Sequence, residues 1–124
     1  FDWNRLDRDG QPRQLHVRES LEVIDFARGP AHLAVPQPTE RPHVEQLVAC
    51  DQFVLDRWQI DSPQTCAGDE RFHILAVVEG TVVFSSGEDS FELQRGHTIL
   101  IPACSQGVEV RPRGRAVLLD MYLP

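Results

Sequence analysis

The side chains able to do chemistry in this 124-residue chain are few and scattered. Its five histidines are His16, His32, His43, His73 and His97, and its three cysteines are Cys50, Cys66 and Cys104. No CxxC pair occurs and the cysteine count is odd, so neither a disulfide framework nor a zinc knuckle is indicated, and free thiols are expected. His32 and His43 sit in a proline-rich stretch with no partner spacing. Every basic residue is arginine, which excludes Schiff-base chemistry and a lysine general base. Guanidinium groups match phosphate oxygens bidentately, which makes Arg5 and Arg13 the candidate substrate-binding residues; the competing reading pairs them with Asp7 or Asp9. Arg111, Arg113 and Arg115 form a second basic cluster that an anion would suit, although a charged hairpin tip is the ordinary reading and the preferred one. His16 reads as a capping or packing residue at a helix entry, His97 as an exposed turn residue. Trp3 and Trp58 read as core or interdomain packing ahead of a sugar-stacking platform.

The balance of charge narrows the partners. A net charge of −7 repels nucleic acid and anionic membrane. No run approaches the roughly 18 apolar residues that span a bilayer, and no basic, apolar, small-residue leader pattern is visible. A soluble, cytoplasmic protein without nucleic-acid or membrane partners is expected. Length and 41% hydrophobic content suit one compact domain.

The elements that must position these residues differ along the chain. LDRDGQP carries turn chemistry. Leu15, Val17, Leu21 and Ile24 recur at helical spacing before the stop signal Gly29-Pro30, which predicts a helix over about 17–26. GPAHLAVPQPTERPH, with its prolines, predicts an irregular connection between structural units. Residues 1–44 therefore read as a linker segment with one helix, and 45–124 as a domain. From residue 46 the period becomes two: 46–60 alternates around a bend, with Val54, Asp56, Trp58 and Ile60 on one face. Residues 61–70 read as a loop, followed by strands at 72–78, 81–85, 90–94, 98–101, 107–111 and 115–123, separated by Gly-containing turns. The fold class expected is mainly β, a jelly-roll barrel or sandwich preceded by a loop and one α-helix.

Phe72-His73-Ile74-Leu75-Ala76-Val77-Val78-Glu79-Gly80, followed by Gly96-His97-Thr98-Ile99-Leu100-Ile101-Pro102, resembles the cupin signature. Metal-binding cupins place an HxH pair and a Glu on the first motif and a His after the Pro of the second. Here the corresponding stretches, TCAG at 65–68 and PACSQGVEV at 102–110, hold no histidine. His73 stands alone on its strand and Glu79 belongs to the turn, so no metal is expected in this barrel.

FDWNRLDRDGQPRQLHVRESLEVIDF is similar to a segment of type I mannose-6-phosphate isomerases that reads, in outline, Tyr-Asp-Trp-x-Arg, a turn with Gly, then Arg-x-Leu-His and a helix. LVACDQFVLDRWQI, FHILAVVEG, GHTILIPA and AVLLDMYLP also resemble that family's C-terminal cupin, in order. The resemblance implies interconversion of mannose 6-phosphate and fructose 6-phosphate through an enediol, with a zinc ion polarising the carbonyl. It further implies that the zinc ligands and an active-site arginine belong to a preceding catalytic cupin, against which this chain packs. The expectation is then the C-terminal portion of a longer isomerase, with no catalytic residue and no cofactor of its own, inactive alone. The alternatives are a stand-alone metal-free cupin that binds a small ligand or senses one, and a metal-dependent cupin enzyme, which the missing histidines disfavour.

Overall fold

The computed structural model describes residues 3–30 and 32–124. Phe1 and Asp2 of the N-terminal motif lie outside the described residues. The chain forms two compact units, 1–33 and 34–124. No helix among the described residues is long and apolar enough to cross a membrane.

In the first unit the predicted turn is built around Asp7. Its carboxylate accepts the backbone N–H groups of Asp9 and Gln11, each at 2.9 Å. Asp7 N–H in turn donates to Gln11 O at 2.8 Å, and Leu6 bridges Pro12 across the loop. One helix follows, α1 (Val17–Val23), with an Arg18–Glu22 ion pair one turn apart. It is shorter than the predicted 17–26. Ile24 is already extended, at φ −80° and ψ 122°, and the Asp25 carboxylate accepts the N–H groups of Ala27 and Arg28 at 3.0 and 3.2 Å. An Asp side chain that captures nearby backbone donors competes with helical hydrogen bonding, and this ends the helix before the apolar spacing does.

The second unit is a two-sheet sandwich of ten strands. β1 (Gln37–Pro38), β2 (Val44–Ala49), β3 (Val54–Ile60), β5 (His73–Glu79), β8 (Thr98–Ile101) and β10 (Ala116–Tyr122) make one sheet, in the order β1-β2-β3-β10-β5-β8. β4 (Gln64–Cys66), β6 (Thr81–Ser86), β7 (Asp89–Gln94) and β9 (Val108–Pro112) make the other, in the order β4-β9-β6-β7. All pairings are antiparallel. Mainly β content, a single helix among the described residues and this topology agree with the expected jelly roll. Two corrections concern short strands: the stretch read as loop 61–70 contains β4, and the proline-rich connection contains β1. Two or three residues are too few for period two to be told from a loop, and each of these strands is recruited by a longer neighbour, β4 by β9 and β1 by β2.

The core forms where the inward faces of the two sheets meet. Trp58 and Ile60 from β3, Leu75 and Val77 from β5 and Leu118 from β10 pack with Val82 and Phe84 from β6 and Val110 from β9, all fully buried or nearly so. Each such side chain removed from water contributes about 1.5–3 kcal/mol. One glycine is required by close approach: at Gly80, φ is +82° and a Cβ would sit 2.5 Å from the Arg115 carbonyl oxygen. This lets β5 turn into β6 directly beneath the start of β10.

Candidate functional site

The inward faces that build the core do not stay apolar along their length. On β3 the buried series Val54, Asp56, Trp58, Ile60 contains a carboxylate; on β5 the series His73, Leu75, Val77 begins with an imidazole; on β10 Ala116, Leu118, Asp120 ends in a second carboxylate. Antiparallel register sets Asp120 opposite both Asp56 and Leu75. One end of the sandwich is therefore polar inside, and Cys66 of β4 reaches it from the other sheet.

His73 is the centre of this layer. Its Nδ1 lies 2.9 and 3.1 Å from the two carboxylate oxygens of Asp120, which is 0% exposed, and its Nε2 lies 3.2 Å from Asp69 Oδ1. With a carboxylate at each ring nitrogen both must donate, so the ring is an imidazolium. The hydrogen bond to Asp120, with the Cys66 sulfur adding to it, pushes the His73 pKa up to about 10 despite burial. Burial works to raise Asp69, but its bonds to His73 and to the Arg71 backbone hold it below the ordinary carboxylate range. Burial also pushes the Cys66 thiol upward, and it pushes Asp56 upward against the opposing bond from Tyr122. That bond runs from Tyr122 Oη to Asp56 Oδ2 at 2.9 Å, and together with burial it raises the Tyr122 phenol to about 12.

Beside this layer opens a cavity of about 290 Å³, with Arg41, Trp58, Thr65, Asp69, Arg71 and Tyr122 in its walls along with Cys66 and His73. Arg71 is tied down: it pairs with Asp69 at 2.9 Å, donates to Leu123 O at 3.3 Å and stacks over the Tyr122 ring at 4.7 Å. Arg41 stacks over the Trp58 ring at the same distance, with no ion-pair partner among the described residues. Among the described residues, three buried side-chain polar atoms have no hydrogen-bond partner: Trp58 Nε1, His43 Nε2 and Asp56 Oδ1. Ala67 and Glu70, on either side of Asp69, hold positive φ angles of 66° and 64° without being glycine. Such backbone is sparsely populated and tends to be retained where a loop has a task.

Cys66, His73 and Asp120 offer ligand atoms that all lie within 4.8 Å of one another, the spacing a cation would need. The protonation state opposes it. A metal-bound imidazole and thiol must both have lost their protons, and here the imidazolium is held by two carboxylates while the thiol is driven toward its neutral form. The donor set is that of a buried ion-pair network.

The residues singled out from sequence fall in different places. Arg5 and Arg13 come together through their backbones, Arg13 N–H donating to Arg5 O at 3.3 Å, and Arg13 borders an open cleft of about 400 Å³ with His16, Val17 and Leu21. Asp7, one of the two carboxylates that the competing reading pairs with them, holds backbone N–H groups through its Oδ1. His16 stands at the helix N-cap but makes no side-chain capping bond. Trp58 is core, whereas Trp3 is 77% exposed. Arg111, Arg113 and Arg115 are a hairpin tip, engaged by Glu109, Glu92 and Gln59. His97 is exposed in its turn, its Nδ1 accepting from the Gln94 N–H. His73, alone on its strand in the sequence, has partners from β10, β4 and the loop before β5.

Comparison with known proteins identifies the fold and the family. The chain matches the crystal structure of mannose 6-phosphate isomerase from Bacillus subtilis with a TM-score of 0.72 at 23% identity, over 98% of this chain and 38% of that one. A cupin superfamily protein from Desulfitobacterium hafniense matches with a TM-score of 0.58 at 14% identity, over 73% of this chain and 96% of that one. In sequence, the chain is 27% identical over 103 residues to mannose-6-phosphate isomerase ManA of Bacillus subtilis, and 25% identical over 104 residues to a mannose-6-phosphate isomerase of Streptococcus mutans. Those alignments take in 82% of this chain, which spans about a third of the length of the curated relatives it matches. The model of the mannose-6-phosphate isomerase cupin domain matches residues 43–120, well over half of the chain, and the chain belongs to that family.

Proposed function

We propose that this chain serves as the C-terminal, metal-free cupin of a zinc-dependent mannose-6-phosphate isomerase, which interconverts mannose 6-phosphate and fructose 6-phosphate. The observation that carries this reading is the family match over 43–120, joined to the fact that relatives bearing the isomerase name are about three times as long. The remaining length is where the reading sets the zinc, its ligands and the chemistry. A preceding catalytic cupin holds the sugar phosphate, the present chain packs against it, and Arg5 and Arg13 lie on the segment leading away from that site, within reach of a substrate phosphate. The imidazolium–carboxylate core supports the assignment of no tight zinc to this barrel, since its histidine and cysteine both retain protons.

The longer protein should isomerise mannose 6-phosphate and lose that activity on chelation. The 124-residue chain should contain little zinc by elemental analysis. Near-stoichiometric zinc in the isolated chain, or a longer protein indifferent to chelator, would overturn the proposal. A stand-alone metal-free cupin is the second reading, favoured by the near-complete coverage of a protein of roughly single-cupin length from Desulfitobacterium hafniense.

A further inference from the structure

We propose that the outer face of the six-stranded sheet is an interdomain docking surface, and that its occupant is an apolar surface of the preceding domain of the longer isomerase. The inference rests on the reading of this chain as one part of such a protein, and adds to it the face through which the two parts meet.

Antiparallel register lines up the side chains that point away from the core. One row crosses five strands as Val48, Leu55, Met121, Ile74 and Leu100, without a polar member. The row beside it runs Glu45, Arg57, Leu119, Ala76 and Thr98, and its two charges cancel in an ion pair between β2 and β3. The other sheet does the opposite: an outward row there reads Thr65, Glu109, Ser85 and Ser90. A strand with one wet face alternates apolar with polar residues, whereas a strand covered on both faces reads as a nearly continuous apolar run. β5, with His73 followed by ILAVV, and β10, which begins AVLL, are of the second kind. Yet Leu100 is 61% exposed and Met121 40%, with Leu123 at the end of β10 at 48%. The sequence of these strands is written for a covered face, and in this chain the face is open.

Charge and length select the occupant. At the usual strand spacing the apolar row is about 20 Å wide, a contiguous band rather than the scattered apolar residues of an ordinary surface. With Arg57 neutralised by Glu45 in a chain of net charge −7, the face offers nothing to the phosphates of a nucleic acid or an anionic bilayer. Its complement is an apolar protein surface with few charges. This chain spans about a third of the length of the curated relatives that bear the isomerase name, and 38% of the matching crystal structure. The rest of such a polypeptide, tethered to this domain, meets the face at an effective concentration on the order of millimolar, which a second copy in dilute solution does not match.

In the longer protein, Met121→Cys sets a thiol on the apolar row and Ser90→Cys sets one on the polar face of the other sheet. Each variant is alkylated, and peptide mass mapping gives the rate at that position relative to the urea-unfolded protein. Position 121 should be protected at least about tenfold more than position 90, since the centre of a domain interface excludes water. Photo-crosslinking from position 121, in a mixture of isotope-labelled and unlabelled protein, should join this chain to polypeptide upstream of residue 1 within one molecule. Equal protection at the two positions would sink the proposal, and crosslinks between copies would overturn it in favour of a second copy. Isomerisation of mannose 6-phosphate by the same protein is assayed in parallel. Turnover with position 121 unprotected removes the interface and leaves the isomerase reading standing, whereas protection without turnover removes that reading and leaves the interface.

Discussion

Replacing Asp120 by Asn removes one carboxylate from the heart of the sandwich, and the structure sets both the size and the pH dependence of the result. In the native protein the buried Asp120 faces His73 Nδ1 at 2.9 Å and holds the imidazole charged up to about pH 10. In the unfolded chain the same ring titrates near 6.5. Because the folded pKa is the higher one, the stabilisation is fully present below pH 6.5 and is lost as pH rises toward 10. Between pH 7 and 8.5 the native state keeps a proton that the unfolded state has released. Unfolding free energy should therefore fall by about 1 kcal/mol per pH unit near pH 7, steepening to about 1.4 by pH 8. Two other groups act weakly in this window: His43, lowered on folding, opposes the slope near pH 7, and Cys66, raised on folding, adds to it as the unfolded thiol titrates, so the difference between wild type and Asp120→Asn isolates the part due to His73. Asp120→Asn should lower stability at pH 7 by about 3–5 kcal/mol, the cost of breaking one partner out of a buried ion pair, and should flatten the pH slope. Urea unfolding at three pH values measures both, and the ring signals of His73 by NMR report its charge directly. A wild-type stability that is level or rising from pH 7 to 8.5, or a His73 ring that titrates near 6.5, would refute the reasoning even if the variant failed to fold.

Other consequences are quicker to check. Gly80→Ala places a Cβ against the Arg115 carbonyl at a positive φ, and chemical denaturation should show a loss of about 2 kcal/mol or more. Tyr122→Phe removes the donor to Asp56, whose other oxygen already lacks a partner, and should cost about 1–3 kcal/mol by the same assay. Thiol titration of the native protein should find Cys50 and Cys104 reactive at once and Cys66 only after unfolding, since the first two are exposed and the third is buried.

Much of the sandwich was legible because its strands are long enough for period two to show. Trp58 and Ile60 share a face in the sequence, and the structure buries that face. What escaped was short or cooperative: β4 and β1 exist only through their pairing with β9 and β2, and α1 stops where the Asp25 side chain intervenes. The polar layer was missed for a related reason. His73, Asp120, Cys66 and Asp69 are drawn from β5, β10, β4 and a loop, and no local spacing links them. A signal was nevertheless present: Asp56 shares parity with Trp58, Asp120 with Leu118 and His73 with Leu75, so each is a polar residue written on a core-facing position. Such residues must be paired or used.

The proposed function makes this chain part of an isomerase whose zinc chemistry lies outside these 124 residues. Its most direct test measures fructose 6-phosphate formation from mannose 6-phosphate by the 124-residue chain supplied with zinc, alongside the longer protein that contains the preceding cupin. The account predicts turnover by the longer protein and none above background by the chain alone. Zinc-dependent turnover by the chain alone, or its absence from the longer protein, would contradict it.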